Sequence, residues 1–292
     1  MNPAQPDLAV IAMVLAGAVI AGTSILAKVL GQSLGDAPGL HPLQISAGRF
    51  VFGFAALIGA LALRPRLRPA FAGTRWRWHL LRSICGWLGV TLMFAAVARM
   101  PVAEATAISF LSPLVAMALA VPLLGERLGP RKWIAACLAC CGAALILRPG
   151  TDAFQAAGLW ALAAAAFMGV ETIFIKRLTA GEPPMRILLV NNAIGAGVSG
   201  LVALSVWSAP TGGQWLLLVA LGTVMVAGQS LFIQAMRRGE ASHVMPAFYS
   251  ILVFAAVYDA VLFGVRPGAL AIAGAALIVT GAVVLAVQRT GR

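Results

Sequence analysis

Charge is what this 292-residue sequence has least of: 10% of its residues are Asp, Glu, Lys or Arg, where an ordinary soluble domain carries about a quarter. Such a chain cannot cover a globule with solvated side chains, which excludes a water-soluble domain. Histidine is nearly absent too. His41, His79 and His243 lie far apart, so the clustered His and acidic groups of a membrane-embedded enzyme are missing. Cys85, Cys137, Cys140 and Cys141 all fall inside apolar runs without His or acidic companions. They read as small apolar packing residues rather than a metal or redox set. The first apolar run is a full span with no basic region before it, so no cleaved leader is expected. No cofactor is suggested.

What is present is apolar length. Hydrophobic residues make up 61% of the chain, arranged in runs of about 20 residues that match a hydrocarbon core about 30 Å thick. Ten spans are expected, near 8–30, 41–63, 79–98, 103–124, 131–148, 154–176, 185–207, 214–236, 241–263 and 268–288. The runs are continuous rather than alternating, which predicts helices and not a barrel. The net charge of +12 raises the idea of a nucleic-acid partner, but the cations are dispersed. With an inside N-terminus, sixteen Lys and Arg fall on inner loops and ends, four on the outer side, and Arg49 within span two. That asymmetry puts both termini in the cytoplasm and excludes nucleic acid as the partner. The expected setting is a lipid bilayer, the cytoplasmic (inner) membrane, crossed many times.

Residues 102–132, VAEATAISFLSPLVAMALAVPLLGERLGPRK, have a weaker copy at 239–267, GEASHVMPAFYSILVFAAVYDAVLFGVRP. An offset of 138 residues aligns Phe94 with Phe232, Arg99 with Arg237, Thr91 with Gln229, and Ser112 with Ser250. A one-residue shift then matches Gly125 with Gly264 and Arg127 with Arg266. Earlier spans echo more faintly: Pro42 precedes Arg49 by seven residues, as Pro184 precedes Asn191. Five spans per copy, an odd number, turn the second copy upside down. The expected fold is therefore all-α and polytopic, with ten transmembrane helices as two inverted five-helix repeats, 1–149 and 150–292, around a central cavity.

Three segments, Ser112-Pro113-Leu114, Leu124-Gly125-Glu126-Arg127-Leu128 and the stretch 94–98, together with Arg49, carry a full-length resemblance. The chain resembles the drug/metabolite transporter superfamily, specifically the EamA family, and is most similar to exporters of the YddG type. That resemblance implies export of small metabolites, amino acids above all, by alternating access. It also implies that spans one to four and six to nine enclose the cavity, with five and ten peripheral. The second copy departs from the pattern: Val265 stands where the first has Glu126. A carrier of phosphorylated or nucleotide-linked sugars, or of drug-like compounds, is the alternative within transport. Deep phosphate-binding cations are scarce, since only Arg49 is read as deep. A membrane scaffold is the alternative outside it.

Ionisable groups within spans are functional candidates by default. Arg49 is read as a carboxylate or cavity-field partner, or as a snorkelling side chain. Asn191 and Asn192 occupy the matching place in span seven, as substrate contacts or interhelical hydrogen bonds. Further cavity candidates are His79, Trp87, Thr91, Ser112, Gln229, His243, Tyr249 and Ser250, with Gln234 and Tyr258 behind them. Gating or coupling candidates are Pro113 and Pro246, as helix kinks, and the acids Glu126, Glu171 and Asp259. Pairing is expected for Glu171 with Lys176 or Arg177, for Asp259 with Arg266, and for Glu126 with Arg127, Arg131 or Lys132. Glu104 is expected to cap span four. Facilitated diffusion is preferred as the mode of transport, with proton exchange second.

Overall fold

The computed structural model describes residues 6–33, 38–112, 114–116, 118–119, 130–147, 156–179, 181–238 and 247–287. Within them run ten α-helices of eight residues or more. They are α1 Pro6–Gly31, α2 Pro42–Leu63, α3 Trp76–Val97, α4 Val102–Ser109, α5 Pro130–Leu147, α6 Ala157–Thr179, α7 Pro184–Ala203, α8 Gly212–Arg238, α9 Ser250–Phe263 and α10 Ala269–Val287. Proline opens α2 and α7 at the first helical position, where its missing N–H would have no intrahelical partner anyway. His41 caps α2 by accepting from the Leu43 N–H at 3.3 Å. Gly264, at φ 66°, ends α9 in the left-handed conformation that glycine adopts without strain.

Six helical stretches are long and apolar enough to cross a membrane: Leu8–Gly31, Pro42–Leu63, Trp76–Val97, Ala157–Ile175, Pro184–Val206 and Gly212–Phe232. Val102–Ala116, Cys137–Leu147, Ser250–Phe263 and Ala269–Gly281 are shorter apolar stretches. Span four differs from the expected unbroken helix. After Ser109 the chain tightens, with Phe110 and Leu111 donating to carbonyls only three residues back. A proline at 113 has no N–H to offer the Ser109 carbonyl four residues back, and its ring crowds that carbonyl, the residue at which α4 ends. Pro113 itself, Glu126, His243 and Pro246 lie outside the described residues.

Packing is by pairs. α1 lies along α8, α3 along α6, and α5 along α10, while α2 sits between α7 and α8. α9 packs on α1 and α4, and α4 also packs on α6. Lipid chains are as apolar as leucine, so close contact rather than water exclusion holds such helices together. Small residues permit the approach. A Cβ on Gly142 of α5 would lie 2.5 Å from the Gly274 carbonyl of α10. The core is correspondingly alanine-rich, with Ala21, Ala27, Ala96, Ala105, Ala107, Ala161 and Ala164 packed around Ile45, Phe94 and Ile108. Large apolar side chains such as Leu63, Leu201, Leu216, Val261 and Ile272 point outward, as a lipid-facing surface requires.

Candidate substrate-binding site

Buried charge gathers beside α3, which packs on both α2 and α6. Arg82 of α3 places Nη2 3.3 Å from Oε1 of Glu171 on α6. Gly86, one turn along from Arg82, makes room for that carboxylate; a Cβ there would sit 2.8 Å from Oε1. The Nε of Arg82 has no partner among the described residues. Arg49 on α2 is an electrostatic neighbour of both Glu171 and Arg82. It is 4% exposed, its guanidinium lies 4.1 Å from the centre of the Phe50 ring, and its Nε and Nη1 have no partner among the described residues. The partner the structure gives Glu171 is thus Arg82, where Lys176 or Arg177 was expected. Those residues follow by five and six positions and lie off its helical face, whereas α3 carries Arg82 to it.

The remaining candidates divide. Asn192 turns its amide back to the Leu188 carbonyl at 2.9 Å, while buried Asn191 leaves its Oδ1 unpartnered. The indole N–H of Trp87 donates to Ser46 Oγ at 3.3 Å, tying α3 to α2. Thr91 Oγ1, Gln229 Oε1 and Ser250 Oγ are buried without partners among the described residues. Ser250 faces the backbone gap at Gly17 of α1. Tyr249 packs on Phe110 at 5.1 Å, and Phe248 bridges Phe110 and Phe232 at 6.3 and 5.3 Å. Tyr258 reaches the Ala18 carbonyl at 3.4 Å. Ser112 is half-buried against Gly169 of α6, and Gln234 is exposed. An apolar groove of about 430 Å³ between α4, α9 and α10, lined by Ala103, Glu104, Leu252 and Ala256 among others, contains none of the cavity candidates.

Two charge clusters mark opposite ends of the bundle. At one, Lys28 Nζ of α1 bonds Asp259 Oδ1 of α9 at 2.8 Å, and Asp259 Oδ2 accepts from the Ala103 N–H at 3.0 Å. Asp259 therefore takes Lys28 rather than Arg266, which lies beyond the Gly264 stop. It also supplies an anion at the N-terminus of α4, where Glu104 stands in the first turn. At the other end, His79 is fully buried and bonds Glu182 at 2.8 Å. Glu182 precedes α7, accepts from the Arg75 N–H at 2.9 Å, and approaches Arg186 at 3.5 Å. Burial pushes the Glu182 carboxyl up, but hydrogen bonds from His79 and Arg75 and the Arg186 charge outweigh it, so its pKa lies below the ordinary glutamate value. His79 is thus an interhelical tie, not a lone cavity candidate.

Arg82, Glu182, Lys28 and Arg186 were not singled out in the sequence. Starting span three at 79 put Arg82 at the membrane edge, whereas α3 begins at Trp76 and carries it two turns inward. That depth was the available signal.

A polytopic helical bundle with ion pairs near both ends, and with Arg49 and the Arg82–Glu171 pair buried between them, belongs to the class of membrane proteins that keep ionisable groups inside the bundle. The EamA-like transporter family model matches residues 7–148 and again 155–287, and the chain belongs to that family. It is 29% identical over 282 residues to a riboflavin transporter of Rhizobium johnstonii, covering 96% of this chain and 91% of that one. It is 26% identical over 257 residues to an S-adenosylmethionine uptake transporter of Rickettsia prowazekii, covering 88% and 86%. With the pseudopaline exporter CntI of Pseudomonas aeruginosa it shares 27% over 252 residues, covering 85% and 88%. A solved crystal structure superposes with a TM-score of 0.59 at 25% identity, over 98% of this chain and 99% of that one. These relatives are transporters, not enzymes. None of the three is an amino-acid exporter of the YddG type, so the family stands and the narrower likeness gains no support from them.

Proposed function

We propose that the chain is a secondary carrier of the inner membrane, moving a small metabolite by alternating access between two inverted five-helix halves, 1–149 and 150–292. The observation that carries this reading is the pattern of helix pairs. Adding five to each helix number turns α1 with α8 into α6 with α3, α1 with α9 into α6 with α4, and α2 with α8 into α7 with α3. The pairs α2 with α7, α4 with α9 and α5 with α10 map onto themselves. A two-fold relation between halves has this consequence, and the two successive family matches support it. With an odd number of helices per half, the axis lies in the membrane plane, and the site belongs near the midplane.

The dispersed cations favour cytoplasmic termini. The relatives' names span riboflavin, S-adenosylmethionine and pseudopaline, with both uptake and export among them. They support small-metabolite transport and leave the amino-acid cargo resting on the sequence resemblance alone. The test is reconstitution of the purified chain in liposomes with labelled riboflavin, S-adenosylmethionine, the standard amino acids and their phosphorylated or carboxylated relatives. Saturable flux of one is expected. Protein that is inserted and folded yet moves none would sink the carrier reading.

A further inference from the structure

We propose that the cargo is held through an anionic oxygen group, a carboxylate or a phosphate, by the guanidinium of Arg49 with Arg82 beside it. This rests on the carrier reading above and names its substrate class. Arg49 and Arg82 are both buried, and among the described residues Glu171 is the one acidic neighbour of the pair. Two cations against one carboxylate leave one positive charge uncompensated in surroundings where charge is poorly tolerated.

The geometry says which cation is unmet. Glu171 is committed to Nη2 of Arg82, and the other Arg82 terminal nitrogen makes only a long, 3.5 Å contact with the Ile187 carbonyl. Arg49 keeps Nε and Nη1 unpartnered, and Arg82 keeps Nε. A guanidinium presents five N–H donors and accepts nothing, so these sites can be satisfied only by acceptors, best by an anion. The Phe50 ring face against Arg49 holds the guanidinium plane while leaving its edge free. Asn191 on α7, with Oδ1 unpartnered, offers a neutral amide for a further polar group of the cargo. The charges facing the cluster from adjoining elements are already used. On α7, Arg186 meets Glu182, and on α3, His79 meets the same carboxylate. Arg82, counted from sequence as an inner-end cation, supplies a second deep cation, whose absence argued against phosphorylated or nucleotide-linked sugars.

The experiment measures ligand-induced thermal stabilisation of the purified full chain in detergent micelles. It uses acid and neutral partners of one shape: glutamate with glutamine, phenylacetate with phenylacetamide, and riboflavin 5′-phosphate with riboflavin. In whichever pair binds, the anion should bind at least tenfold more tightly, and Arg49→Gln should level the two. Arg49→Lys should keep part of the preference, because it keeps charge without the planar donor set. The first two pairs report on carboxylate and the third on phosphate. Equal or tighter binding by a neutral member overturns the anion assignment and leaves the carrier reading intact. Binding by none of the three anions at millimolar concentration overturns it as well. If Arg49→Gln does not fold, the wild-type pairs decide alone. An anion that binds yet shows no flux in liposomes removes the carrier reading and keeps the anion site.

Discussion

Lys28 and Arg49 are equally hidden, at 5% and 4% exposure, yet they live in opposite ways. Lys28 has Asp259 at 2.8 Å and the Phe263 ring at 4.3 Å, and its carboxylate partner also caps α4. Arg49 has a ring face and no hydrogen-bond partner for Nε or Nη1. A buried charge that is fully met fastens helices together. One that is left unmet is held in place by the rest of the fold and kept available. Under the proposed anion site, the contrast separates a charge that fastens helices from one that holds cargo.

The largest effect should come from breaking the met pair. Asp259→Ala leaves Lys28 buried alone and the α4 N-terminus uncapped, and should cost about 3–5 kcal/mol in detergent unfolding. The double variant Lys28→Met with Asp259→Leu should recover most of that loss, since an apolar pair of similar volume is often neutral. Recovery of none would mean the pair does more than hold α1 to α9. Glu171→Gln comes next. It weakens a charge-assisted contact of a side chain 18% exposed, and a loss of about 1.5–3 kcal/mol is expected in the same measurement.

The His79–Glu182 cluster offers a pH test of a met charge. The folded Glu182 pKa is lowered, so its stabilisation is complete above the unfolded value of about 4.3 and is lost as pH falls through the folded one. Wild type and Glu182→Gln should therefore differ most at neutral pH and converge in acid. A gap that widens in acid would reverse the assignment. The smallest stability change should belong to Arg49→Gln, within about 1 kcal/mol, because no hydrogen bond or ion pair seen here is lost. Flux should fall nonetheless. A large destabilisation by this substitution would make Arg49 a structural charge like Lys28 and erase the comparison.

Helix positions were legible in the sequence because their causes are local. Apolar runs, the opening prolines Pro42 and Pro184, and the stop at Gly264 act within a few residues of the ends they set. Most boundaries fall within three residues of the expected ones. The exceptions are spans four, seven and nine, where α4 stops at Ser109, α7 stops at Ala203 and α9 begins at Ser250. Composition alone determined the membrane class, and the residues of the 112–128 segment carried the family. The unpartnered polar atoms of Arg49, Thr91, Asn191, Gln229 and Ser250 belong to residues already visible as polar groups in apolar spans. Partnership was not visible. Asp259 meets Lys28 across 231 positions, Glu171 meets Arg82 of α3, and Glu182 gathers His79 and the Arg75 N–H at the start of α3. Which charge is spent on a partner and which is left to bind depends on how each helix is rotated against the next. That rotation is fixed by small-residue contacts between distant segments, so only the tertiary structure decides it.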